Sequence, residues 1–115
     1  MTRVALATAV VLGLVQFVGP SEAADVRMYI RHDVADYASW RKVYDGFDAE
    51  RSGLGVTAQA VYRSLDNPND VTVSHDFKTS EAAKAFASSP NLKNAMQNAG
   101  VKGPPQIWFV IPTDK

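Results

Sequence analysis

Two histidines, a run of aromatic residues and the absence of cysteine set the chemistry open to this chain. His75 stands in the segment Val71 to Phe77, where alternation gives it the same face as Val71, Val73 and Phe77. An imidazole on an apolar face needs a hydrogen-bond partner, and near neutral pH it can accept or donate a proton. His75 is therefore the candidate catalytic residue. Tyr62 falls on the same face if the preceding strand pairs Ala60 against His75, and Tyr37, Trp40 and Tyr44 recur at helical spacing above it. One histidine among tyrosines and a tryptophan suits a planar apolar or phenolic ligand, which makes Tyr62, Tyr37, Trp40 and Tyr44 the candidate ligand-binding residues. The same residues also fit a core histidine bonded to a tyrosine hydroxyl with no ligand, and an aromatic stripe fits any helix that covers a sheet.

Other chemistries find less support. His32 closes a strand just before Asp33 and reads as a partly exposed turn histidine. It lies about four residues along the strands from His75, roughly 13 Å, too far for both to ligate one ion, so no metal site is expected. Ser74 and His75 are neighbours on a strand and point to opposite faces, so they cannot form a nucleophile and base pair. Arg27 and Asp76 read as an ion pair on the sheet, and Arg41, Lys42, Asp45, Asp48, Glu50 and Arg51 as a solvated helix exterior. Without cysteine there are no disulfides, thiolate zinc sites or thiol nucleophiles. Phosphate-cradling glycine loops and a Gly-x-Ser-x-Gly elbow are also missing, and no cofactor is implied. The 12 basic residues balance the 12 acidic ones, which disfavours nucleic acid as a partner.

These residues must be positioned by one small domain. Residues 1–24 carry Arg3, an uncharged apolar run from Val4 to Val18, and the small residues Ser21 and Ala23 before a cleavage point, the layout of a secretory signal peptide. The run is about 15 residues, short of the roughly 20 that span a bilayer, so the protein is expected to be secreted or periplasmic, with no stable membrane span after cleavage. Residues 25–115 remain, a size that buries only about 60–65% of its unfolded surface and gains from a second subunit.

Val26 to His32 alternates as a strand, with Val26, Met28, Ile30 and His32 on one side. Asp33 or Asp36 can cap a helix that runs to Gly53 or Gly55. Val56 to Leu65 and Val71 to Phe77 form a hairpin about the Asp66 to Asp70 turn. A second helix starts at Thr79 or Ser80, breaks at Ser89-Pro90 and restarts at Asn91, and a last strand spans Gln106 to Ile111. The order βαββαβ predicts an α+β, ferredoxin-like fold: a four-stranded antiparallel sheet with two helices on one face. Pairing the first strand with the third so that Ile30 faces Val73 also sets Arg27 opposite Asp76. The core then includes Met28, Val73, Phe77, Ile107, Phe109 and Ile111, and the outer face Tyr29, Thr72, Ser74, Trp108 and Val110.

Asp36-Tyr37-Ala-Ser-Trp40, Val71-Thr-Val-Ser-His-Asp-Phe77 and the stretch from Ala82 through Ser89-Pro90-Asn-Leu92 to Ala99-Gly100-Val101 resemble the dimeric α+β barrel proteins of the antibiotic biosynthesis monooxygenase (ABM-like) group. The resemblance covers essentially all of residues 25–115. It implies a homodimer formed by two facing sheets, a small-molecule cavity between sheet and helices, and, for an enzyme, cofactor-free oxygenation or isomerisation. A non-catalytic structural or partner-binding protein with a filled core is the alternative. The haem-degrading members rely on an asparagine in the first strand; Val26 to His32 has none, and no catalytic tryptophan is carried over.

Overall fold

The computed structural model describes residues 25–113; the expected leader lies outside the described residues. The elements run β1 (Val26–Val34), α1 (Tyr37–Gly46), α2 (Asp48–Gly53), β2 (Ala58–Arg63), β3 (Asp70–Phe77), α3 (Ser80–Ala87), α4 (Pro90–Asn98) and β4 (Val101–Val110). They form one antiparallel sheet in the order β2-β3-β1-β4, with the helices flanking it. This is ferredoxin-like topology, in which each expected helix is a broken pair.

Local chemistry explains the breaks. Asp36 caps α1 through the Ser39 N–H at 2.9 Å, and Phe47 departs from helical geometry between Gly46 and Asp48, which divides α1 from α2. Thr79 caps α3, and Ser89 caps α4 with Pro90 in the first turn, where the missing N–H of proline leaves no bond unmade. Gly100, at φ +81°, turns the chain from α4 into β4, and its carbonyl accepts from the Ala35 N–H at 2.9 Å.

β1 and β3 pair as the sequence predicts, with Ile30 opposite Val73 and Arg27 opposite Asp76. The β2–β3 register differs by one residue. His75 faces Gln59 rather than Ala60, and Tyr62 pairs with Thr72. The cause lies in the turn: the Ser64 N–H donates to the Asp70 carbonyl at 2.9 Å, so Leu65 leaves the strand and is 98% exposed. A slip of one residue moves every β2 side chain to the other face.

The covered face buries Val26, Met28, Ile30, Val34, Val71, Val73 and Phe77 against Trp40, Phe86, Leu92 and Ala99. β4 is longer than expected and, as an edge strand, tolerates Pro104 and Pro105. The helices cover that edge poorly: Phe109 and Ile111, expected in the core, are exposed. Among the described residues no helix is long and apolar enough to cross a membrane.

Candidate functional site

Between the covered face and the helices lies a small cleft, about 40 Å³ inside and partly open to solvent. Its floor is Ile30, His32, Val73 and His75; α1 and α2 contribute Trp40, Tyr44 and Arg51, and α4 contributes Leu92 and Met96. The aromatic stripe of α1 stacks along it. Tyr37 and Trp40 lie 5.7 Å apart between ring centroids, Trp40 and Tyr44 4.9 Å, and Tyr44 and His75 6.5 Å. Phe86 closes the other side of His75 at 5.0 Å.

The structure brings Trp40, Tyr44 and His75 together and leaves the other two candidates outside. Tyr37 stacks on Trp40 but does not line the cleft: its ring lies 3.8 Å from the Arg63 guanidinium, and its hydroxyl accepts from Arg41 at 3.3 Å. Tyr62 is on the opposite face, with Thr72 and Ser74, and is half exposed. It cannot meet His75 across the sheet. The tyrosine-to-histidine hydrogen bond considered for a filled core does not form either: the Tyr44 hydroxyl and both ring nitrogens of His75 are buried with no protein partner within hydrogen-bonding distance.

His32 corrects its sequence reading. It is 6% exposed, packs against Trp40 at 5.7 Å between centroids, and both its nitrogens lack protein partners. Its place on the covered face follows from the alternation of β1, whose even-numbered residues from Val26 to Val34 are all buried. Because β1 continues to Val34, His32 is not at a strand end. Among the described residues no three histidine, aspartate or glutamate side chains gather as a metal cluster.

Burial holds both imidazoles neutral. His75 is pushed down to about 4, chiefly by loss of solvent, with the Arg51 charge adding to the effect and Asp76 opposing it. His32 is likewise pushed down to about 4 by burial, against the pull of Asp33 and Asp70. Burial raises the Tyr44 hydroxyl above its ordinary value despite the nearby arginines, so it stays protonated and can donate.

Arg51 is the member that the sequence reading placed on a solvated exterior. It is 2% exposed, its guanidinium carbon 3.7 Å from the centre of the Tyr44 ring, and its Nε donates to Gln59 Oε1 at 2.8 Å. The signal was present in the spacing: Tyr37, Trp40, Tyr44, Phe47 and Arg51 continue one helical stripe.

No family model and no curated protein matches the chain. Solved structures do. SnoaB, a cofactor-independent oxygenase from Streptomyces nogalater, superposes with a TM-score of 0.67 at 14% identity, covering 81% of this chain and 97% of that one. A putative antibiotic biosynthesis monooxygenase from Caulobacter crescentus CB15 gives 0.64 at 17% identity, over 82% and 94% of the two chains. A conserved protein from Methanosarcina mazei Go1 gives 0.65 at 14% identity, over 81% and 97%. At these identities the likeness is one of fold: this chain shares the ferredoxin-like fold of these solved structures.

Proposed function

We propose that this chain binds a small apolar or aromatic molecule between its sheet and helices, with His75 as proton acceptor in a cofactor-free oxygenation or isomerisation. One observation carries the reading: a buried, neutral imidazole with both nitrogens unpartnered forms the wall of an otherwise apolar cleft. A polar group retained in such a place without a protein partner is a candidate for work on a ligand. The likeness in fold to a protein described as a cofactor-independent oxygenase supports the same class of reaction. In the oxygenation, His75 takes a proton from an activated CH2 of the substrate, and the carbanion reduces dioxygen as a C–O bond forms. Scission of the O–O bond leaves a carbonyl on the substrate, and the second oxygen departs as water with the two hydrogens. In the isomerisation the proton returns to a different carbon.

The proposal includes export to the periplasm or medium with residues 1–24 removed, and a homodimer formed through the outer face of the sheet. Stacking of Tyr29 on Trp108 at 5.4 Å, beside exposed Tyr62, makes that face more aromatic than a surface in water needs to be. The alternative, a non-catalytic protein with a filled core, is favoured by the size of the cleft, since about 40 Å³ is far below a typical ligand pocket.

Native mass spectrometry of the secreted protein, paired with His75→Ala, tests these readings. The expected result is a cleaved dimer with a retained small molecule that the variant loses, together with any turnover, while the variant keeps its fold. An empty wild-type protein whose variant loses only stability favours the filled core, and a monomer removes the dimer.

A further inference from the structure

The cleft holds a buried cation without a buried counter-charge. Arg51 Nη2 approaches Asp48 Oδ1 at 3.4 Å, longer than the roughly 2.7–2.9 Å of a strong charge-assisted bond. That carboxylate belongs to a side chain 64% exposed and also accepts from Gln59 Nε2 at 3.0 Å, so water and Gln59 share its charge. The Nε partner, Gln59, is neutral. None of the residues lining the cleft is an aspartate or glutamate. The nearest carboxylates along β3 are engaged on the outer face, Asp76 by Arg27 and Asp70 by Arg31, each at 2.7 Å.

The other polar groups of the cleft can donate, Tyr44 and His75 on the Arg51 side and His32 farther along, under Trp40. The Tyr44 hydroxyl and one N–H of each neutral imidazole have no protein acceptor, while the remaining lining is apolar: Ile30, Trp40, Val73, Leu92 and Met96 among them. An uncharged apolar cleft would favour the neutral form of an acid, because desolvation penalises the anion. A buried guanidinium with idle donors pulls the other way, since an opposite charge within a few ångströms and hydrogen bonds to the charged form both favour ionisation.

We infer that the molecule taken up here is an aromatic weak acid, a phenol, enol or carboxylic acid on an apolar body, bound as its anion against Arg51 with Tyr44 and His75 donating to it. This rests on the cleft being a ligand site, as proposed above. A ring exceeds the present interior, so the flexible Met96 side chain on α4 must yield to admit it.

The probe is 4-nitrophenol, whose phenolate absorbs visible light and whose phenol does not. It is titrated with and without the secreted protein. The expected result is more phenolate on adding protein, with the titration midpoint lowered by about one pH unit, a tenfold preference for the anion. Arg51→Gln is expected to reverse the direction, Arg51→Lys to keep it, and Ala95→Phe, which fills the cleft, to abolish the response, with folding of each variant followed by thermal unfolding. Less phenolate with the wild-type protein overturns the inference and leaves the cleft a ligand site for neutral molecules. No response at all overturns both. A phenolate gain that survives Arg51→Gln or Ala95→Phe assigns binding to another surface and overturns the inference.

Discussion

On the outer face of the sheet, Arg27 and Arg31 each grip a carboxylate of β3 with two hydrogen bonds of 2.7–3.1 Å, whereas on the covered face the rings of His32 and His75 make none with protein groups. The outer pairs keep partial contact with solvent, so little desolvation opposes them, and they serve to hold β1 and β3 in register. The covered imidazoles are stable there only because burial keeps them uncharged. Polarity is thus inexpensive where it sets register and costly where it lines the cleft. The costly side is where function is to be sought.

Truncating the packing that holds His75 tests the covered face most severely. Phe86 is 1% exposed and touches both His75 and Phe77, so Phe86→Ala is expected to remove about 3–5 kcal/mol of stability in urea unfolding. A loss below about 1 kcal/mol would mean that this face is loosely packed.

Acid comes next. Each histidine has a folded value near 4 against an ordinary 6.5, so the unfolded chain binds protons first as pH falls. Stability is therefore full above pH 6.5 and declines between 6.5 and 4, by roughly 3 kcal/mol per histidine as an order of magnitude. His75→Leu should remove about half of that decline when unfolding is measured across the range. A pH-independent wild type would contradict the neutral, buried assignment of both rings.

The outer face should respond least. A double-mutant cycle on Arg27 and Asp76, whose side chains are 36% and 27% exposed, is expected to give a coupling below about 1 kcal/mol that shrinks with added salt. Asp76 raises the Arg27 guanidinium above its ordinary value by hydrogen bonding, which agrees in sign. A coupling well above that, insensitive to salt, would mean the pair is dry, as it would be under a second copy of the sheet.

Much of the fold was legible because its determinants are local. The alternation of β1, the caps at Asp36, Thr79 and Ser89, and the facing charges of Arg27 and Asp76 together predict the element order and the central register. The site was legible only in part. His75, Trp40 and Tyr44 meet as their periodicities imply, but Tyr62 lies on the other face because the hairpin pairs Gln59, not Ala60, with His75, a register that alternation alone does not fix. Arg51 was hidden by its charge, which outweighed the stripe it continues.

The amino-acid sequence by itself determined which residues form strands and helices and which side of β1 and β3 is apolar, because caps, turns and the two-residue period act over a few positions. Only the tertiary structure decided that His32 lies under Trp40, that Arg51 turns inward over Tyr44, and that Tyr62 faces away. Those outcomes depend on which element packs above each residue and on how one hairpin closes, and both are settled by contacts between segments distant in the chain.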